Sequence, residues 1–219
     1  MDHENLTVLS LLDFSNAFNT VDFCVLLGIL RSLNISPTAV DGFQSYLFGR
    51  RQRIRLEDKY SDWTNTAAGV PQGGVLSPLL FAIFINSITN NLTSTYHLYA
   101  DDLQVYTQAP PENIQQAIML MNQDLKRICE WSHNYSLSVN PSKTQFIIVG
   151  SSRMIARLNI LLLPQICFNG INLPIATKVK NLGVFIDSTL SRGPQLQEVS
   201  RKLFASVPAK VTKFLAHCH

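Results

Sequence analysis

The chain has 219 residues, of which 46% are hydrophobic and 15% are charged, and its net charge is +3. This composition can bury a sizeable core and fits one large domain, alone or with an appendage, while the low charge predicts only a modest electrostatic attraction to nucleic acid. The four cysteines form no C-x-x-C pair, and we find neither a signal peptide nor an apolar run long enough to span a bilayer. We therefore expect a nuclear or cytoplasmic protein that is neither secreted nor membrane-bound.

The first predicted elements are a buried strand and two helices. Residues 6–12 are mostly apolar and predict a strand that ends at Asp13. Apolar residues recur at helical spacing over residues 22–33, and the turn residues that follow end this helix. A second helix is predicted over residues 38–47, with Ser36 as its N-cap.

A charged hairpin follows these helices. Arg51, Arg53 and Arg55 alternate with other residues, and a turn at residues 57–59 leads into a second short strand, so the arginines are predicted to share one face. Such a row suits a phosphate backbone, because each guanidinium can bind an oxygen without reading the sequence. The sequence favours equally a solvated edge strand that charge protects from aggregation.

A glycine-rich loop at residues 69–74 precedes an apolar helix. We expect its last two glycines, Gly73 and Gly74, to let the backbone approach a ligand closely. Ser77 is predicted to cap the helix and Pro78 to occupy its first turn. The alternative is a rigid turn with a helix cap and no ligand.

Two adjacent acids, Asp101 and Asp102, lie between a turn-rich stretch and a strand-like run, at the predicted tip of a hairpin. Adjacent residues of a strand point to opposite faces, so we expect Asp13 and Asp101 to bridge two divalent cations from neighbouring strands while Asp102 points elsewhere. Such cations, roughly 3.5–4 Å apart, promote in-line attack of a hydroxyl on phosphorus. The alternative for an isolated Asp-Asp pair is a solvated turn.

The rest of the chain predicts helices and short strands. An amphipathic core helix is predicted over residues 111–133, and a turn that contains Lys143 leads into a strand at residues 145–149. Further strands are predicted at residues 165–168, 171–175 and 179–186, and a helix at residues 195–215. We interpret His217-Cys218-His219 as a truncated chain end rather than a metal site.

Five sequence blocks, in a fixed order, resemble the reverse transcriptase of non-LTR (LINE-type) retrotransposons. They are residues 11–22 (LLDFSNAFNTVD), 69–81 (GVPQGGVLSPLLF), 99–102 (YADD), 140–144 (NPSKT) and 179–184 (VKNLGV). The resemblance implies an RNA-directed DNA polymerase that uses an RNA template, a DNA primer and deoxynucleoside triphosphates. It also implies two Mg²⁺ ions as cofactors, with Mn²⁺ as a substitute.

The resemblance assigns catalytic roles to particular residues. Asp13, Asp101 and Asp102 would be the catalytic carboxylates and would bind the ions, together with Phe14. Lys143 would protonate the departing pyrophosphate, a general-acid role. The alternative for Lys143 is a surface lysine beside a turn.

The resemblance also assigns substrate contacts. Phe18 would block the ribose 2′-hydroxyl and so favour deoxynucleotides. Gln72 and Gly73 would lie near the incoming nucleotide, and Leu182-Gly183 would form a primer grip. Arg51, Arg53 and Arg55 complete the predicted nucleic-acid contacts.

The implied fold class is α/β, a right-hand polymerase palm with an antiparallel sheet backed by helices. The palm is expected to span residues 1–187, with residues 188–219 as a helical connector or the start of a truncated thumb, and the fingers are expected to be missing. Asn16 and Asn19 depart from the family, which often has a basic residue at the first position and usually an aspartate at the second.

Three hypotheses remain open from the sequence. The first is an RNA-directed DNA polymerase palm, and the second is a catalytically silent retrotransposon remnant with residual nucleic-acid binding. The third is another two-metal palm enzyme, such as an RNA-dependent RNA polymerase or a cyclic dinucleotide synthase. The third shares only the fold and the acidic hairpin with this chain.

Overall fold

A computed structural model describes residues 5–215, and within them the side chains of all residues except Asn91 and residues 206–215. The predicted chain end at His217-Cys218-His219 therefore lies outside the described residues. No helix in the described part of the chain combines the length and the apolar composition needed to cross a membrane.

A five-stranded sheet forms the centre of the fold. Its strands are β1 (Leu6–Leu12), β6 (Thr95–Tyr99), β7 (Asp102–Ala109), β8 (Gln145–Val149) and β11 (Ile175–Ala176), in the spatial order β11-β8-β1-β7-β6. All neighbouring strands are antiparallel except β11 and β8, which are parallel. The chain between β8 and β11 is long and includes a helix, which is the kind of crossover that a parallel pair requires. The predicted antiparallel sheet is thus confirmed for four of its five strands.

The other strands form small hairpins. They are β2 (Arg51–Gln52) with β5 (Thr64–Asn65), β3 (Arg55–Leu56) with β4 (Lys59–Tyr60), β9 (Ile166–Phe168) with β10 (Ile171–Leu173), and β12 (Lys178–Asn181) with β13 (Val184–Asp187). The α-helices are α1 (Phe23–Ser32), α2 (Pro37–Leu47), α3 (Ser77–Asn86), α4 (Ile114–Asn134), α5 (Ser152–Arg157) and α6 (Gly193–Leu215). The predicted helices are present, with ends that differ by a few residues, whereas α5 was not predicted. The single strand predicted over residues 179–186 was wrong, because a turn at Leu182 and Gly183 divides it into β12 and β13, which pair with each other.

The two faces of the sheet are covered differently. Val8 and Leu12 of β1 and Leu103 of β7 are buried on the face that packs against α1, α3 and α4. On the opposite face Leu11 of β1 packs with Val179 of β12 in a second, smaller cluster. The second face is therefore partly covered as well, by the β12–β13 hairpin.

Helix starts test the capping predictions. Ser36 accepts a hydrogen bond from the N–H of Ala39 at the start of α2, as predicted. Ser77 does not cap α3: it is the first helical residue, Leu76 precedes it in a helical conformation, and its hydroxyl donates to the carbonyl of Pro71. That prediction was wrong because the hydroxyl closes the preceding loop instead of the helix end.

Candidate active site

Asp13 and Asp102 lie side by side at the end of the central sheet. The pairing of β1 with β7 ends at Leu12 and Leu103, so the next two residues, Asp13 and Asp102, face each other on the side of the sheet opposite the main helices. Both carboxylates line a cavity of about 350 Å³. This placement brings together acids that are far apart in sequence.

The hairpin places Asp101 differently from the expectation. Tyr99 pairs with Asp102, so Ala100 and Asp101 form the turn, with Ala100 at a φ of 52°. Asp101 is not among the residues that line the cavity, whereas Asp102 is. The predicted pairing of Asp13 with Asp101 therefore differs from the structure, because the register of β1 with β7 selects the second acid of the pair.

The charge of Asp102 is disfavoured at this position. Partial loss of solvation raises the pKa of Asp102, and the negative charges of Asp101 and Asp13 raise it further. A cation between these carboxylates would remove that repulsion. The electrostatics at Asp102 thus favour a positive charge beside it, and Lys143 and Lys180 line the same cavity.

A lysine already contacts Asp13. The Nζ atom of Lys143 lies 3.1 Å from the Oδ2 atom of Asp13. The loop that carries Lys143 is held against the end of β1, because the N–H of Asn140 donates to the carbonyl of Asp13 at 2.7 Å. The structure therefore places Lys143, the predicted general acid, in contact with Asp13, the predicted metal-binding carboxylate.

The donor atoms of the cleft fit a hard divalent cation. The Oδ2 atom of Asp13 is buried, and among the described residues its partner is the ammonium of Lys143 at 3.1 Å. Carboxylate oxygens are the donors that Mg²⁺ prefers, and Asp13 and Asp102 supply them from two strands. The ring of Phe14 is buried and has no donor atom, so Phe14 could contact such an ion only through its carbonyl. Within residues 5–215, however, no three His, Cys, Asp or Glu side chains are grouped closely enough to hold a metal.

A second cleft contains the predicted nucleotide-binding loop. Gln72 lines this cleft of about 540 Å³, and its Nε2 atom donates to the Oδ1 atom of Asn19 at 3.1 Å. The loop is packed tightly on the segment after β1: a side chain at Gly69, where φ is +85°, would meet the Cα of Asn19 at 2.7 Å. Asn19, a departure from the family, thus becomes the hydrogen-bonding partner of Gln72.

Phe18 and the last two glycines of the loop have distinct environments. Phe18 is half-buried, and its ring stacks on Phe81 of α3 with centroids 4.2 Å apart. Gly73 is exposed with a φ of +80° and open space around it. A side chain at Gly74 would instead meet the hydroxyl groups of Tyr46 and Ser77, which would have to move. The structure therefore favours glycine at position 73 by backbone conformation and a small residue at position 74 by close approach.

The β12–β13 turn reaches the cavity that Asp13 and Asp102 line, which we call the acidic cavity. Leu182 and Gly183 form a two-residue turn in which both φ angles are positive, 45° and 85°. Leu182 is about half exposed and lines the same cavity as Asp13 and Asp102. The structure thus brings the predicted primer-grip turn to the predicted catalytic acids.

Sequence reasoning missed the amides that hold this turn in place. The Nε2 atom of Gln104 donates to the Oδ1 atom of Asn181 at 2.9 Å, and the N–H of Lys180 donates to the Oε1 atom of Gln145 at 3.3 Å. All four residues line the acidic cavity. The available signal was the position of Gln104 two residues after Asp102, which places both on one face of a strand.

The three predicted phosphate-binding arginines lie elsewhere. Arg51, Arg53 and Arg55 are exposed on the hairpin made by β2 to β5 and do not line the acidic cavity. Arg51 does line the second cleft, beside Gln72. Of the predicted site residues, the first cavity is thus lined by Asp13, Asp102, Lys143 and Leu182 and the second cleft by Arg51 and Gln72. Arg53 and Arg55 line neither of them.

The sheet is mainly antiparallel, and helices cover one of its faces. The paired carboxylates and the acidic hairpin lie at one end of its other face. This arrangement defines the palm of a nucleic-acid polymerase. Telomerase structures share this fold. The apo telomerase of Candida tropicalis, truncated from its C-terminal domain, superposes with a TM-score of 0.59 at 14% identity and covers 85% of this chain and 35% of its own. A telomerase of Candida albicans superposes with a TM-score of 0.56 at 15% identity and covers 85% and 30%, respectively.

The family described as reverse transcriptase (RNA-dependent DNA polymerase) matches residues 1–186, and the chain belongs to this family. The probable RNA-directed DNA polymerase from transposon BS of Drosophila melanogaster is 28% identical over 88% of the chain, and that of the mobile element jockey of Drosophila funebris is 29% identical over 82%. The chain spans only 21% and 19% of these relatives, respectively. It thus corresponds to the reverse transcriptase region of retrotransposon polymerases.

Proposed function

We propose that the chain catalyses RNA-directed DNA synthesis, in which the 3′-hydroxyl of a DNA primer attacks a deoxynucleoside triphosphate opposite an RNA template. The observation that carries the proposal is the juxtaposition of Asp13 with Asp102 in one cavity, with the ammonium of Lys143 against the buried Oδ2 atom of Asp13. Membership of the reverse transcriptase family supports the reaction class. Relatives that are named RNA-directed DNA polymerases support the RNA template.

The proposed mechanism assigns a task to each side chain of the acidic cavity. Asp13 and Asp102 would hold two Mg²⁺ ions, or Mn²⁺, with Asp101 beside them and the carbonyl of Phe14 as a further donor. When bound, these ions would activate the hydroxyl and stabilise the charge on the leaving pyrophosphate. Lys143 would donate a proton to the pyrophosphate from the same cavity, since its ammonium is already within 3.1 Å of Asp13.

Substrate positioning would use the two neighbouring clefts. Leu182 and Gly183 would support the primer end next to the acids. Gln72 and Gly73 would contact the incoming nucleotide and the template, and Phe18 would exclude a ribose 2′-hydroxyl. The stacking of Phe18 on Phe81 supports this last role, because it fixes the plane of the ring.

A catalytically silent remnant is the second candidate. Two observations favour it: Lys143 occupies the carboxylate of Asp13, and no group of three metal-binding side chains occurs within the described residues. A remnant would keep the fold and weak nucleic-acid binding without polymerisation.

Primer extension on an RNA template, with deoxynucleotides and Mg²⁺ or Mn²⁺, separates the two candidates. The chain would be compared with its Asp101→Asn Asp102→Asn variant. It would also be compared with a version lengthened at its N-terminus by the segment that precedes the matched region in a Drosophila relative. The Asp41→Asn Glu112→Gln variant is the matched control, because it removes two exposed acids away from the cavity. We expect the chain to extend the primer. The control variant should retain this activity, and the variant with both Asp101 and Asp102 replaced should lose it. Silence of both the chain and its lengthened version would contradict the proposal and favour the remnant.

A further inference from the structure

The hairpin of residues 51–65 carries an alternating stack of arginines and aromatic rings. Every residue of this hairpin is exposed. The guanidinium of Arg53 lies 4.0 Å from the ring centre of Tyr60 and 4.6 Å from that of Trp63, so it is held between two rings. Arg51 lies 5.7 Å from Trp63, and Arg55 lies 5.7 Å from Tyr60. We call these five side chains the arginine ladder.

An extra residue in the returning strand creates the ladder. Tyr60 and Trp63 are three positions apart, so in a regular strand they would point to opposite faces. Arg55 pairs with Tyr60 and Arg51 with Asn65, so the returning strand has one residue more than the strand it faces. The extra residue is a bulge opposite Arg53, and it turns Trp63 towards the arginines.

The ladder contributes little to the stability of the fold. Exposed cation–π contacts are each worth about 0.5–1 kcal/mol, and a two-stranded ribbon alone is marginally stable. On the same hairpin Ile54 and Leu56 remain 74% and 73% exposed, so the hairpin buries no core of its own. Three arginines and two aromatic rings are thus ordered on a surface where burial does not require them.

The guanidiniums of the ladder remain available to an anion. Within the described residues Arg51, Arg53 and Arg55 form no ion pair, although Arg55 donates through Nε to the carbonyl of Glu57. The hairpin contains three acidic residues, Glu57, Asp58 and Asp62, and four basic residues, the three arginines and Lys59. Among the described residues the side chains of Arg51 and Arg53 donate no hydrogen bond, so their N–H groups can form forked hydrogen bonds to phosphate while the guanidinium carbons lie 4.0–5.7 Å from the ring centres.

We propose that the arginine ladder binds the sugar–phosphate backbone of single-stranded RNA and leads that strand into the cleft beside Gln72. The ladder continues into this cleft, because Arg51 lines it together with Gln72 and Asn19. A single row of three guanidiniums matches one backbone, and the guanidinium of Arg53 already lies within 4.6 Å of both ring centres, where a base would otherwise stack. The choice of RNA rests on the proposed function, whose template is RNA.

Fluorescence anisotropy of a labelled single-stranded RNA tests this proposal with the whole chain. Arg53→Gln is expected to weaken binding about fivefold and to lower the salt dependence, since each phosphate contact releases counterions. The matched control is Arg153→Gln, which removes an exposed arginine from α5 and is expected to change binding less than twofold. Circular dichroism and urea unfolding verify that each variant is folded.

Two charge-conserving variants distinguish the ladder from a simple positive surface. Both variants keep the charge: Arg53→Lys removes the guanidinium group, and Trp63→Leu removes one ring. Each is expected to weaken RNA binding about threefold with an unchanged salt slope. Wild-type affinity in both variants, an equal loss in the Arg153 control, or no RNA binding by the wild type would overturn the proposal. Equal affinity for double-stranded RNA or for dextran sulfate would overturn it as well.

Extension assays separate this proposal from the proposed function. Asp102→Asn is expected to bind RNA as the wild type does, while it loses primer extension. Ladder-dependent RNA binding in a chain that never extends a primer would contradict the proposed function and leave the ladder in place. Extension with unchanged RNA binding in Arg53→Lys and Trp63→Leu would contradict the ladder alone.

Discussion

Asp102 has a charge that its surroundings oppose, because its pKa is raised by partial loss of solvation and by the neighbouring carboxylates. Side chains whose ionised form is disfavoured by the fold frequently belong to functional sites. In this cleft the opposing charges come from Asp101, which is adjacent in sequence, and from Asp13, which is adjacent only across the sheet. The sequence predicted all three acids but not which two share a strand pair.

Replacing Asp102 by Asn should stabilise the fold while it abolishes primer extension. A carboxyl group whose pKa is raised on folding favours folding in its neutral form, so its ionisation costs stability as the pH rises above the unfolded value of 3.8. Asp102→Asn should therefore raise the free energy of unfolding at neutral pH, by less than about 1 kcal/mol because solvent screens this exposed site. Urea unfolding at neutral and strongly acidic pH should show that gain only at neutral pH. A gain of equal size in Asp41→Asn, an exposed acid of α2, would contradict the role of local repulsion.

At the scale of elements, α4 holds the start of the acidic hairpin through a buried carboxylate. The side chain of Asp124 is fully buried and accepts hydrogen bonds from the N–H groups of Thr93 at 3.0 Å and Ser94 at 2.8 Å. Arg127 contacts the same carboxylate at 2.7 Å. Thr93 and Ser94 directly precede β6, so this contact fixes the strand that leads to Asp101.

Replacing Asp124 by Asn should destabilise the fold strongly. The amide has only one acceptor oxygen and leaves Arg127 without a charged partner, so we expect a loss of about 2–4 kcal/mol in the free energy of unfolding. Urea unfolding measures the loss, and Glu130→Gln, an exposed acid of the same helix, serves as the control with a change below about 0.5 kcal/mol.

The pH dependence of this loss has a defined sign. Burial alone would raise the pKa of Asp124, but hydrogen bonds from Ser94, Thr93 and Arg127 outweigh it and lower the pKa below 3.8. The carboxylate therefore stabilises the fold above that value and loses its effect as the pH falls through the lowered pKa. The difference between wild type and Asp124→Asn should shrink in that acidic range, and a difference independent of pH would contradict the proposed charge interaction.

At the scale of the whole molecule, two hydrophobic clusters have different tasks. The larger cluster joins the sheet to its helices and includes Val105, which is fully buried. The smaller one, Leu11, Ile147, Val149 and Val179, attaches the β12–β13 hairpin to the opposite face. The position of Leu182 beside the acids thus depends on a small contact surface and on the amide of Gln104.

Replacing Val179 by Ala should loosen this hairpin before it affects the sheet. Removing two buried methyl groups costs about 1–2 kcal/mol, which corresponds to about tenfold faster local opening. Native-state hydrogen exchange should show faster exchange of amides in β12 and β13 and little change in β1. Val105→Ala is the control, and it should accelerate exchange throughout the sheet. Uniform acceleration by Val179→Ala would contradict the separate attachment of the hairpin.

The sequence by itself determined the elements and the candidate chemistry. Sequence patterns predicted β1 and the described α-helices except α5, and residue types at fixed local spacing identified the acidic hairpin, the loop with Gln72 and the row of arginines. These are local properties, because propensity, capping and alternation depend on neighbours along the chain. Ser77 shows that local patterns can also mislead. Its hydroxyl could bind either the N–H groups at the start of α3 or the carbonyl of Pro71, and it binds the carbonyl.

Only the tertiary structure decided which residues meet. The register of β1 with β7 placed Asp102 opposite Asp13, the bulge turned Trp63 towards Arg53, and the packing of the β12–β13 hairpin brought Leu182 and Gln104 to the acids. Each of these outcomes depends on pairing between segments far apart in sequence or on one inserted residue, and a shift of one position reverses the face of every side chain. Local patterns carry no information about that register, whereas the packed sheet fixes it.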